Sequence, residues 1–219
     1  MKGRAVMKNE QIKKYLWLIC LIVIICGCAG PKGKRLDMAF YHLDYAPPMR
    51  VAMEPASATI AIEPFRSMAP FNTNRIIYST SPVTYDAYAY HQWFSDPADM
   101  VFTLLFRDMR SAGIFRAVMH ADDRLADYRV TGIVESFLEQ DQQDPWQAVL
   151  SITITLIDKT QMDTSRQIVF QKNYTAIRPC HRKNPQALAD AMSMALAEVS
   201  AGVIADIHTA LSPSPAATP

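Results

Sequence analysis

The chain is short of glycine, of cysteine outside its first residues, and of net charge, and each shortage removes a class of function. Seven glycines in 219 residues leave no GxGxxG and no GxxxxGK[ST] pattern. The backbone cradle that nucleotide phosphates require is therefore missing, and the chain is not the ATPase of a transporter. Three of the four cysteines, Cys20, Cys26 and Cys28, lie within the first 28 residues. Beyond Cys28 only Cys180 remains, so no disulfide can form within the rest of the chain and a packed core must stabilise it. The five histidines, His42, His91, His120, His181 and His208, have no His, Cys or acid partner at metal-site spacing, so no metal and no cofactor is expected. The formal charge is +1. Residues 1–27 hold five Lys/Arg and one Glu, which leaves 17 basic and 20 acidic side chains, a net −3, in the remainder. A mildly acidic domain has no basic stripe for nucleic acid.

What is present begins at the N-terminus. Lys2, Arg4, Lys8, Lys13 and Lys14 precede an apolar run from Tyr15 to Ile25, and small residues follow. This is the order of a secretory signal, expected over residues 1–27. The run of 11 residues is too short for a bilayer, which takes roughly 20. Ile25-Cys26-Gly27-Cys28 resembles the lipobox of bacterial lipoproteins, with Cys26 where Ala or Ser is usual. The resemblance implies cleavage before Cys28 and lipid on Cys28. Ala29 rather than Asp follows, which by the sorting pattern of Gram-negative lipoproteins implies the periplasmic face of the outer membrane. Residues 28–56 read as a lipidated N-terminus and tether, with a candidate edge strand at Phe40–Leu43 and breakers at Pro47, Pro48 and Pro55. Residues 212–219, with three prolines, read as a disordered tail.

Between tether and tail, over 57–211, hydrophobic periodicity gives the elements. Ala58–Glu63 is a strand with Ile60 and Ile62 on one face. Ile76–Ser79 and Tyr85–Tyr90 form a hairpin around Thr80-Ser81-Pro82. Asp96 is a candidate cap, Pro97 suits the first helical position, Val101, Leu104, Leu105, Met109 and Ala112 recur at helical spacing, and Gly113 ends the run. Short strands follow at Phe115–Met119 and Tyr128–Leu138, the latter with Val130, Val134 and Leu138 inward. Ala148–Asp158 alternates Leu150, Ile152, Ile154 and Leu156 with Ser151, Thr153 and Thr155, so one side is buried. Gln167–Ile177 returns as its antiparallel partner. A second helix starts at Asn184-Pro185 with Leu188, Met192, Ala195, Val199, Val203 and Ile207 as its stripe. The expectation is a single α+β domain: a mostly antiparallel sheet with two helices packed on one face, in the order strands, helix, strands, helix.

Several stretches in this order resemble the auxiliary lipoproteins of ABC-type transport systems, the group that includes the PqiC-like lipoproteins. They are Tyr41-His-Leu43, Ile60-Ala-Ile62-Glu-Pro-Phe65, Arg75-Ile-Ile-Tyr78, Tyr85 and Tyr90 leading to His91-Gln-Trp93-Phe-Ser-Asp-Pro97, Ser111-Ala-Gly-Ile-Phe115, and Ala126-Asp-Tyr-Arg-Val130. The likeness runs over roughly residues 40–210. Order and spacing carry it rather than any one chemical signature, and Phe94 stands where the family usually has a small residue. It implies an auxiliary, non-catalytic role in lipid transport beside an MCE-domain protein and an ABC permease and ATPase.

No residue set forms a catalytic constellation. Cys180-His181 is the one adjacent nucleophile–base pair, and Arg178, Arg182 and Lys183 around it favour a reactive thiol. Such pairs usually meet in space rather than in sequence, so the plainer reading is a lone cysteine at a strand end. The acids Glu135, Glu139, Asp141 and Asp144 read as a solvated rim. Among Tyr78, Tyr85, Tyr88, Tyr90, Trp93 and Phe94, strand alternation leaves part for the core and part for the surface. Tyr88, Tyr90 and Trp93 are the candidate partner surface, for another protein or for a second copy in a homo-oligomer. The rival readings are an assembly factor for a secretion channel, a cell-wall-synthase activator, or a Cys180-dependent hydrolase.

Overall fold

In the computed structural model, Trp17 and residues 37–48, 55–120 and 126–212 are described. The lipobox with Cys28, most of the tether and residues 213–219 lie outside them. The fold belongs to the compact unit that starts at Met38. Its elements are β1 (Ala39–Tyr41), β2 (Ala56–Ile62), β3 (Arg66–Ser67), β4 (Arg75–Ser81), β5 (Thr84–Trp93), α1 (Pro97–Ala112), β6 (Phe115–His120), β7 (Tyr128–Gln140), β8 (Gln147–Asp158), β9 (Ile168–Pro179) and α2 (Pro185–Leu211). The strands make one nine-stranded sheet.

The α+β class and the two helices are as the periodicity requires, but the sheet is mixed. Its longest ladders, β7–β8 and β8–β9, are antiparallel, as is β4–β5. The ladders β1–β5, β2–β6, β2–β7, β3–β7 and β4–β7 are parallel. The reason is the length of β7. One flank lies against β8 throughout; the other takes β2, β3 and β4 one after another. Pairing between distant segments is not visible in local alternation, which reports faces and not neighbours.

Where alternation is regular, the structure follows it. Leu150, Ile152, Ile154 and Leu156 of β8 are fully buried. Their neighbours Ser151 and Thr153 join a polar network with Glu135, Asn173 and Thr175 on the opposite face. All six predicted stripe residues of α2 are buried. Burying each such Leu or Ile contributes about 2 kcal/mol, so this stripe is a main stabiliser. α2 has the length and apolarity of a membrane span, with mean hydropathy 1.5, but 67% of that window is buried inside the protein. Asn184 caps it, accepting from the Ala187 amide at 2.9 Å. Gly113 ends α1 in the left-handed region, φ 66°, where a side chain would be strained. Asp96 precedes α1 but makes no side-chain cap bond.

Two departures position the site. First, β7 carries a bulge: Val134 pairs with Ile152 and Ser136 with Ser151, so Glu135 is the extra residue. A bulge shifts the phase of everything beyond it. Val130 and Val134 face inward as expected, but Phe137 and Glu139 then take the inner face, opposite the buried Leu150 and Ala148. Leu138 moves to the other face, where it is still covered. Second, β5 is irregular against β4: Ile77 pairs with Ala87 but Arg75 with Gln92. Strict alternation through Tyr88–His91 therefore fails.

Candidate functional site

The richest polar cluster lies where β1, β5, the end of β7 and the start of α2 meet. Tyr41 of β1 is hydrogen-bonded to His91 Nδ1 of β5 at 2.9 Å. The His91 ring meets Tyr88 edge-on at 5.8 Å, and Tyr88 meets Tyr78 at 5.1 Å. Tyr88 donates its hydroxyl to Glu139 Oε1 at 2.8 Å, and Tyr78 donates to Asp86 at 3.1 Å. Beside Tyr41 and His91 opens a cleft of about 430 Å³. Its other wall is the entry to α2, with His181, Arg182, Asn184 and Gln186. A second depression of about 300 Å³ shares Tyr41 and Gln186 and adds Phe40, Asp44, Asp190 and Ser193.

Glu139 is not part of a solvated rim. It is 1% exposed, and its Oε2 has no hydrogen-bond partner. Burial pushes its carboxyl up to about 7; the Tyr88 hydroxyl opposes the rise and the Asp141 charge adds to it. The same burial, with the negative charges of Glu139 and Asp141, raises Tyr88 above the ordinary phenol range. The bulge at Glu135 puts the acid there, and no local signal announces it.

Trp93 corrects the sequence reading. It is 1% exposed and packs edge-on against Phe137 at 5.1 Å, so it is core and cannot contribute to a contact surface. Tyr88 is half-buried and tied to Glu139, whereas Tyr90 is 45% exposed. The three residues are thus not gathered on one surface.

Cys180 is also unlike a nucleophile. It is 1% exposed, and burial followed by the Glu139 charge pushes the thiol up to about 11, against a small lowering from the Ala148 backbone bond. Two of the three cations expected to activate it are engaged elsewhere, Arg178 with Glu198 and Lys183 with Asp144. His181 faces Asp190 at 4.0 Å. A protonated, enclosed sulfur neither attacks a substrate nor reaches a second chain's thiol. Among the described residues no group of three His, Cys, Asp or Glu could hold a metal ion.

Another polar centre was missed although its signal was present. Asp108 falls on the α1 stripe, seven residues after Val101, and is fully buried. It accepts from Tyr45 at 2.6 Å and from Ser200 of α2 at 2.7 Å, and it pairs with Arg107 at 2.8 Å. The Arg107 guanidinium also lies 4.5 Å over the Tyr45 ring. This acid ties together both helices and the segment after β1. A depression of about 620 Å³ lies elsewhere, beside Glu63, Arg66 and Gly132. There the Phe65 ring lies on Gly132 so closely that a Cβ would sit 2.7 Å from it.

Residues 41–204 match the model of a family described as the ABC-type transport auxiliary lipoprotein component. No curated protein matches. Among solved structures, protein XCC0632 from Xanthomonas campestris is similar at TM-score 0.71 and 18% identity, over 78% of this chain and 95% of that one. An uncharacterized protein is similar at TM-score 0.62 and 15% identity, over 78% and 99%. The hypothetical protein CT253 from Chlamydia trachomatis is similar at TM-score 0.52 and 8% identity, over 73% and 100%. At these identities the likeness is one of fold.

Proposed function

Given that the chain belongs to the family of ABC-type transport auxiliary lipoprotein components, we propose that it is a non-catalytic docking element of an ABC/MCE-type lipid transport system. In this reading Cys28 carries the lipid that holds it at the periplasmic face of the outer membrane. The folded domain then binds the end of a periplasm-spanning MCE-domain partner. The family match carries the reading, because it runs from Tyr41 in β1 to Ile204 in α2 and so spans the whole fold. The lipobox at residues 25–28 supports the anchor. The enclosed, protonated Cys180 supports a role without a thiol nucleophile.

The docking face is the cleft beside Tyr41 and His91, with Tyr88 beneath it and His181 and Arg182 on its far wall. Tyrosine and arginine at the mouth of a concave site are the residue types that anchor protein contacts. An anchored domain needs only modest intrinsic affinity, since attachment to the same membrane raises the effective concentration of its partner.

The test is affinity purification of the lipidated full-length protein from membranes. An MCE-domain protein with its permease is the expected companion, and Arg182→Glu should reduce its recovery. Recovery of a secretion channel or a cell-wall synthase in its place would overturn the reading. A deletion strain should be more sensitive to membrane-perturbing agents.

A further inference from the structure

The edge strand β1 has two unlike faces. Tyr41 pairs in register with the buried Trp93, and this face carries the cleft. Phe40 pairs with Gln92 and, by alternation, points the opposite way. Phe40 is 58% exposed and Met38, two residues before it, is 42% exposed. Phe94, two residues beyond Gln92, is 76% exposed, and its amide donates to the Tyr41 carbonyl at 2.7 Å, so it lies beside β1. Three large apolar side chains are thus left in water along one edge, where the fold gains nothing from them.

The chain length says what covers them. Ten residue-to-residue steps lead from Cys28 to Met38. At full extension they span about 35 Å, at roughly 3.5 Å per residue. A lipid on Cys28 therefore keeps the β1 edge, where the domain begins, within that distance of the bilayer. The intervening Lys32, Lys34 and Arg35, against Asp37 alone, favour an anionic headgroup layer. The net −3 of residues 28–219 provides no such attraction by itself, so a direct domain contact has to be apolar.

We infer that Met38, Phe40 and Phe94 form a second membrane contact, seated in the interfacial layer of the bilayer that holds the anchor. The inference rests on the reading of Cys28 as the lipid-bearing residue. Phe and Met side chains bury their apolar area in that layer while the polar backbone edge stays at headgroup level. Lipid contact on the Phe40 face leaves the Tyr41 face turned toward the periplasm, so one edge strand would orient the partner cleft.

The test uses the full-length, membrane-extracted protein in vesicles of phosphatidylethanolamine with a minority of phosphatidylglycerol. An environment-sensitive dye is attached at Phe94→Cys and, separately, at Met162→Cys, another highly exposed position, in the turn between β8 and β9. Cys180 is enclosed and does not compete for label. The dye at 94 should shift to the blue and be quenched by lipids carrying a nitroxide near the headgroup; the dye at 162 should do neither. Mass spectrometry of the same sample reports acylation of Cys28. An acylated protein whose dye at 94 matches that at 162 overturns the membrane contact and leaves the anchor standing. An unmodified Cys28 overturns both. A blue shift that grows with protein concentration but ignores nitroxide lipid assigns the patch to a second copy of the chain and overturns the inference.

Discussion

Replacing Glu139 by glutamine tests whether the phase shift in β7 encloses a titrating acid. In the folded protein the carboxyl ionises near 7, against 4.5 when unperturbed, chiefly because burial opposes the charge. The raised value means the folded state holds its proton where the unfolded state has already lost it. Stability from this group is complete below pH 4.5, falls as pH rises toward about 7, and is gone above it. The gap of two and a half pH units corresponds to about 3 kcal/mol, at about 1.4 kcal/mol per unit. Glutamine keeps the shape and the acceptor for Tyr88 but cannot ionise. Wild type and Glu139→Gln should therefore be compared by urea denaturation at a series of pH values up to about 8, below the range where free thiols titrate. The variant should gain about 3 kcal/mol relative to wild type between pH 4.5 and the plateau above 7. Tyr88→Phe should steepen the wild-type decline, because it removes the hydroxyl that favours the ionised form. Parallel curves for wild type and Glu139→Gln would refute the reasoning and return Glu139 to solvent.

Two further outcomes follow from buried groups. Asp108→Ala strands the Tyr45 and Ser200 hydroxyls and the Arg107 guanidinium. It should cost about 3 to 5 kcal/mol in denaturation, whereas Asp108→Asn keeps an acceptor and should cost less. Cys180 should react with a thiol reagent only as fast as the protein opens, since the enclosed sulfur titrates near 11; a rapid native-state reaction at neutral pH would contradict that burial.

How much of this was legible depends on how local each cause is. The α2 stripe and the β8 alternation read directly because regular elements keep their period, and Asn184 and Gly113 mark ends by local chemistry. Asp108 was legible and overlooked, since it stands on the apolar stripe of α1. Glu139 was not legible. Its burial depends on one extra residue in β7, and Phe137-Leu138 offers an apolar side chain to either phase. Trp93 misled for a related reason. In a run crowded with tyrosines, only pairing with β1 and packing on Phe137 decide which rings are covered. The parallel ladders along β7 join segments far apart in sequence, so no window of residues contains them. The cleft beside Tyr41 is of the same kind, assembled from β1, β5 and the entry to α2.

The irregularity at Glu135 also constrains how genes for this fold can change. Loss of that single codon would leave Val134 opposite Ile152 and Ser136 opposite Ser151, so the ladder would run on without its bulge and Phe137 and Glu139 would keep the inner face. Length variants that preserve the interior can therefore lose one residue here but not gain one, since a further residue would turn Phe137 and Glu139 away from Leu150 and Ala148.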